Sequence, residues 1–249
     1  MQLAGLTNRG RERARNEDSF FLEEDSGIAL LVVADGMGGH RAGNVASELA
    51  VSTAELLWND LERTSALSAE EARSLISRLI FDANQLILNE ADNISSRRGM
   101  GTTITSGLIY ENHLTIGHIG DSRAYLIYDG KIKLLTRDHS LLEHLIESGQ
   151  VKPEDALNHP QRHVLTRALG TTLDPEIDIT ELDLEADSAL LFCTDGLTNM
   201  VNDDEILASC LKEHGPHSMA ESLIELANSR GGYDNITVVI ATGIGGQKA

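Results

Sequence analysis

Apolar residues fall into two rhythms along the chain, short runs and helical spacing, and their order defines a fold class. Short runs come first, at Leu3–Thr7, Phe20–Glu23 and Ile28–Ala34, each of a length suited to a strand. Two helical stretches follow. Residues 44–58 place Val45, Leu49, Leu56 and Leu57 near one face. Residues 68–91 open with Ser68 and Glu71 at capping-box spacing and carry Leu75, Leu79 and Leu86 at helical period. Strand signals then return at Thr102–Tyr110, Leu114–Ile119, Ala124–Tyr128 and Lys131–Leu135. Glu111-Asn112 joins the first two, and Asp129-Gly130 is a strong hairpin turn between the last two. A helix is expected from Ser140, then an irregular polar segment over 149–170. Strands over Ile177–Leu184 and Ala189–Thr194, helices over Asp204–Glu213 and Ser218–Arg230, and a strand over Ile236–Thr242 complete the pattern. Hairpin-joined strands with helices in separate blocks predict α+β with antiparallel sheet, not a doubly wound α/β fold. No repeat, low-complexity tract or linker divides the chain, so one domain over 1–245 and a short tail at 246–249 are expected.

Composition narrows the picture. With 249 residues, 41% hydrophobic but only 4% aromatic, the core must be aliphatic. Cys193 and Cys210 have no framework spacing, there is no signal-peptide layout, and no apolar run is long enough to span a membrane. A cytoplasmic protein, expected to be a monomer, is the reading. The formal charge is −19, which argues against nucleic acid and anionic membranes as partners. An anionic substrate would need local positive charge, and bound cations would supply it.

Three apolar strands end alike, on an aspartate followed by a small residue: Asp35 before Gly36, Asp121 before Ser122 and Asp195 before Gly196. A fourth aspartate, Asp234, stands just before the last strand. Any one of these is ordinary turn chemistry. Four together, each fused to a hydrophobic strand, point to one sheet rim where antiparallel neighbours bring strand ends and starts together. Clustered carboxylates repel unless protonated or bridged by a cation. Hard oxygen ligands without clustered His or Cys suit Mg²⁺ or Mn²⁺ rather than zinc. Residues 13–20, RARNEDSF, add Glu17 and Asp18 as oxygen donors, and Arg13 or Arg15 as a planar fork for phosphate oxygens.

These segments resemble a known family. RARNEDSF, VVADGMGGHRAGNVAS, GTT at 101–103, IGDSRAYLI at 119–127, TRDHS at 136–140, LFCTDGL at 191–197 and GGYDNITVVI at 231–240 are similar to the ordered motifs of the metal-dependent type 2C (PPM) Ser/Thr protein phosphatases, bacterial type. The likeness runs from Thr7 to about Ala241. It implies two stacked antiparallel sheets flanked by helices, an α-β-β-α sandwich, with a flap over about 141–170 beside the active site. It further implies that Asp35 bridges two Mn²⁺ or Mg²⁺ ions and that the Gly36 carbonyl joins the second. Asp195 and Asp234 would ligate the first ion, Glu17 and Asp18 would act through water or as supporting ligands, and Asp121 with Asp195 would match a third metal position. Arg13 stands where the family places its phosphate-binding arginine. The reaction implied is hydrolysis of phosphoserine and phosphothreonine by a metal-bridging water, without a phospho-enzyme. Phosphorylated proteins, substrates of a Ser/Thr kinase, are the partners it suggests.

One position departs. Some members have His after the Asp-Gly pair, where it would protonate the leaving alkoxide, but here Met37 follows Gly36 and the nearest histidine is His40. His40 or a bound water is the candidate acid. Arg162 and His163, in the expected flap, are candidate substrate contacts. His118 reads as a core residue, His139 as a structural turn, and Thr102 and Thr103 as local packing or hydrogen-bonding groups. Cysteine-phosphatase chemistry is excluded because neither Cys193 nor Cys210 has Arg six residues on. An EF-hand would need oxygens from one local loop, whereas these come from distant strands. The alternative, a catalytically silent domain of the same fold, would be marked by loss of a metal aspartate, and Asp35, Gly36, Asp195 and Asp234 are all present.

Overall fold

A strand that is apolar on both faces needs a partner on each, and the central strands here have one. In the computed structural model, which describes residues 1–37, 42–61, 67–152, 155, 159–161 and 163–245, β3 (Ile28–Met37) is the clearest case. Leu30, Val32 and Ala34 face one layer, packed on two helices, while Ala29, Leu31 and Val33 face another sheet. That is the period-two alternation of a strand in a four-layer stack.

The strands are β1 (Gln2–Asn8), β2 (Asp18–Asp25), β3, β4 (Gly101–Thr102), β5 (Ile104–Tyr110), β6 (His113–Ile119), β7 (Arg123–Tyr128), β8 (Lys131–Leu134), β9 (Asp178–Asp183), β10 (Ser188–Cys193) and β11 (Ile236–Ile244). The helices are α1 (Gly43–Asp60), α2 (Ala69–Asn93), α3 (Leu141–Glu147), α4 (Asp195–Thr198), α5 (Asp203–Lys212) and α6 (Pro216–Ser229). One sheet runs β1-β11-β10-β7-β8 and the other β2-β3-β5-β6-β9, with β4 paired to β3. Every strand pairing among the described residues is antiparallel. The inter-sheet core takes Leu31, Val33, Phe192 and Val239, α1 and α2 cover one outer face, and α5 and α6 cover the other with Ile206, Leu223 and Ile224. The expected α-β-β-α sandwich is what forms. No helix of the described residues is long and apolar enough to cross a membrane.

Local signals account for most boundaries. Ser68 and Glu71 close their capping box at the start of α2. At the β7–β8 hairpin, Asp129 and Gly130 both take positive φ, 50° and 67°, as a type I′ turn requires. Three expectations need correction. Leu56 and Leu86 are 62% and 42% exposed, because α1 packs through Ala46, Ala50 and Ala54, and α2 through Ile76, Leu79, Ile80 and Ile87. Small residues let α1 lie close against the sheet, so its buried face is mostly alanine, with Leu57 near the C-terminal end. Thr102–Tyr110 is not one strand but breaks at Thr103, whose N–H turns to the Asp35 carbonyl at 2.9 Å.

Candidate active site

The strand-end aspartates meet because of register. Asp18, the first residue of β2, pairs directly with Asp35 near the end of β3. Asp195 follows β10 and Asp234 precedes β11, its antiparallel neighbour. A cleft of about 780 Å³ opens at this rim, lined by Arg13, Glu17, Asp35, Gly36, Asp121, His163, Asp195 and Asp234 among others. Asp18 does not line the cleft but is buried beside Asp35. The candidates His40 and Arg162 lie outside the described residues.

Backbone and hydroxyl groups pin the carboxylates. Asp35 N–H donates to Thr103 Oγ1 (2.9 Å), and Thr102 Oγ1 donates to the Asp35 carbonyl (2.9 Å). Thr103 Oγ1 also shares a hydrogen bond with Ser122 Oγ at 2.8 Å. The GTT segment therefore clamps Asp35, the local role its sequence suggested. Thr194 and Thr237 hydroxyls donate to Asp18 Oδ2 at 2.8 and 2.7 Å, and Asn199 Nδ2 donates to Asp195 Oδ2 at 3.0 Å. Arg13 Nη2 donates to Asp234 Oδ2 at 2.7 Å. His139 does more than turn the chain: its N–H donates to the Gly120 carbonyl (2.7 Å) and its Nδ1 accepts from Gly120 N–H (3.1 Å), fixing the residue before Asp121. His118 is a satisfied core histidine between Thr105 Oγ1 and the Arg137 carbonyl.

Asn235 is a residue sequence reasoning missed. Its side chain donates to the Arg9 and Arg15 carbonyls, both at 2.9 Å, and accepts from Glu17 N–H at 2.8 Å. It staples the loop between β1 and β2 to the segment carrying Asp234. Its place directly after Asp234 is the one signal that could have found it.

The electrostatics are those of a cation site. Burial, then the charges of Asp18, Asp195, Asp121 and Asp234, push Asp35 well above the usual carboxylate range. Burial also raises Asp18 to about 7 and, with the neighbouring Asp234, Asp195 to about 6. Asp121 is raised by burial and by Asp195. Asp18 Oδ1 and Asp195 Oδ1 are buried with no hydrogen-bond partner among the described residues, a costly arrangement unless a ligand completes it. A Cβ built on Gly43 would lie 2.6 Å from Glu17 Oε2 and 2.7 Å from the Gly36 carbonyl, so these two oxygens face a common gap. Among the described residues, no three His, Cys, Asp or Glu side chains close on a single point. The donor set thus fits a hard cation that keeps several waters and takes a backbone carbonyl, as Mg²⁺ and Mn²⁺ do.

Two expected results follow here. A folded pKa raised above its unfolded value contributes stability at low pH that is lost as pH rises through it. Metal-free protein should therefore lose stability between about pH 4 and pH 7 as Asp195 and then Asp18 ionise; melting curves in EDTA at pH 5 and pH 7.5 measure this, and a higher midpoint at pH 7.5 would contradict it. Gly36→Ala would place Cβ 2.2 Å from the Gly43 carbonyl oxygen and 2.6 Å from that of Glu17, both backbone. The start of α1 must then move off β3, at about 1–3 kcal/mol or more, read as a lower unfolding midpoint; an unchanged midpoint would refute the close approach.

A carboxylate cleft at the rim of two helix-flanked antiparallel sheets defines a class, and the chain belongs to it: it is a member of the protein phosphatase 2C family, whose model matches residues 7–229. Over 235 residues it is 40% identical to the serine/threonine phosphatase stp of Listeria welshimeri, covering 94% of this chain and 92% of that one. The Mycobacterium tuberculosis serine/threonine phosphatase PstP/Ppp is 37% identical, with a TM-score of 0.87 over 97% of both chains. A structure of the PstP catalytic domain in complex with two manganese ions is 35% identical, with a TM-score of 0.85 over 97% of each chain.

Proposed function

We propose that this chain is a Mn²⁺- or Mg²⁺-dependent Ser/Thr protein phosphatase in which Asp35 holds two cations and Arg13 holds the substrate phosphate. The observation that carries this is the pair of buried oxygens on Asp18 and Asp195, without hydrogen-bond partners among the described residues, at a cleft with a guanidinium at its lip. Asp35, the Gly36 carbonyl, Asp195 and Asp234 would hold the ions, with Asp18 and Glu17 in support and Asp121 with Asp195 available to a third. When bound, the cations supply an activated water and neutralise charge on the phosphoryl oxygens.

The protein's own groups do the rest. Arg13 is half-exposed, and its fork reaches from Asp234 into the cleft, so it can turn two donors to phosphate oxygens. Water as the nucleophile fits the lining. Thr103 already spends its hydroxyl on Asp35 N–H and Ser122, and Cys193 is fully buried with its thiol pKa raised by that burial. Attack without a phospho-enzyme follows, with Thr102 and Thr103 holding Asp35 still. His163 lines the cleft and is placed to meet the peptide around the phosphoresidue. Phosphoproteins made by a Ser/Thr kinase are the substrates this reading implies.

The test is hydrolysis of a phosphothreonine peptide with Mn²⁺, comparing wild type with Arg13→Ala. Losing a charge-assisted contact of about 1.5–3 kcal/mol should raise KM roughly 10- to 100-fold with a smaller change in kcat. Wild type inactive on the peptide would refute the function, and an unchanged KM would take the phosphate contact away from Arg13.

A further inference from the structure

The loop between β1 and β2 carries arginine at 9, 11, 13 and 15, in a protein where 39 acidic residues face 20 basic ones. Elsewhere arginines find those acids: Arg73 pairs with Glu181, Arg123 with Asp138, Arg167 with Asp178 and Glu176, and Arg230 with Glu205. In the loop, among the described residues, only Arg13 does, with Asp234. Arg9 and Arg11 donate to backbone carbonyls, of Ala14 and Asn228. Arg15 lines the same cleft as Arg13, is exposed, and has no side-chain partner among the described residues. Its backbone is nonetheless fixed, because Asn235 holds its carbonyl at 2.9 Å. An unpaired guanidinium on a stapled loop at the mouth of an otherwise acidic cleft is a preorganised anion site.

We propose that Arg15 is a specificity-determining residue that holds a second anionic group of the substrate, a carboxylate or phosphate one or two residues from the phosphate hydrolysed. The inference rests on the phosphatase reading and on Arg13 as the phosphate contact. Arg15 stands two positions after Arg13, a span of at most about 7 Å along an extended chain, which matches neighbouring side chains of a bound peptide. The cleft carboxylates make the opposite choice costly for an acidic flank, since the cations at its lip among the described lining residues are Arg13 and Arg15. A rim contact of this kind tunes selection and weakens with salt.

The test compares kcat/KM for two phosphothreonine peptides with Mn²⁺, identical except for aspartate or alanine beside the phosphoresidue. Wild type should prefer the acidic peptide about fivefold at low salt, the scale of an exposed ion pair. Arg15→Ala should bring that ratio to about one, and Arg15→Glu should invert it. Among the described residues the Arg15 side chain holds no partner, so neither variant should fail to fold. Equal rates on both peptides by wild type, or a ratio that survives Arg15→Glu, would overturn the proposal. An equal fall on both peptides would place Arg15 on the hydrolysed phosphate and overturn it too. Wild type inactive on both would overturn the phosphatase reading, and this inference with it.

Discussion

Asp35→Asn should abolish phosphatase turnover, by about a thousandfold or more, and yet raise the melting temperature of the metal-free protein. Both effects come from one charge. Asp35 sits at the centre of the carboxylate cluster, and four neighbouring aspartates raise its pKa along with burial. As the residue proposed to hold both cations, it would be the single ligand whose neutralisation weakens the whole site, and a misassembled metal site forfeits most of the transition-state stabilisation. Without metal, the same charge opposes its neighbours. A neutral amide of equal shape removes that repulsion, worth on the order of 1–3 kcal/mol for a buried cluster, or several degrees of melting temperature for a chain of this size. Assays on p-nitrophenyl phosphate with Mn²⁺ and melts in EDTA read the two halves separately. Near-normal rates in the variant would remove Asp35 from the centre of the site. A lower melting temperature in EDTA would show that the carboxylates do not strain the metal-free fold.

Chelation is the second large effect. Wild-type protein in EDTA should be inactive, should regain activity with Mn²⁺, and should unfold well below the Mn²⁺-loaded form. A ligand at a hundredfold excess over its dissociation constant stabilises by about 2.7 kcal/mol per site. Two sites then give roughly 5 kcal/mol, or about 10–20 °C at this chain length. Part of that gain is relief of the raised carboxylate pKa values, so the shift should be larger at pH 7.5 than at pH 5. Asp35→Asn should show only a small fraction of it. Full activity after exhaustive chelation, or melting curves that ignore Mn²⁺, would dismiss the cation site whatever the peptide assays showed.

The parts legible in the sequence were those written in short-range pattern. Ile28–Ala34 followed by Asp35-Gly36 announces a buried strand delivering a carboxylate, and the same grammar recurs at Asp121 and Asp195. Register then does what pattern foretells: Asp18 lands opposite Asp35. What could not be read depends on partners distant in the chain. Much of the buried face of α1 is Ala46, Ala50 and Ala54, invisible to a search for spaced leucines, which finds only its far end at Leu57. The break at Thr103 exists because its N–H serves Asp35, a residue 68 positions away. His139 gave no sign of gripping Gly120, since its neighbours in sequence are those of an ordinary turn.

Asn235 has a consequence for how such an enzyme could change. By holding the Arg9 and Arg15 carbonyls while following Asp234 directly, it makes the arginine loop and the last strand one rigid part. The described residues of segment 141–170 attach elsewhere, through backbone bonds of Thr166 to His139 and Leu169 to Thr102. The loop proposed to grip phosphate is thus held separately from the segment expected to act as a flap. Substrate range can be rewritten in one module, by drift or by grafting, while the spacing of Arg13 and Asp234 stays as it was.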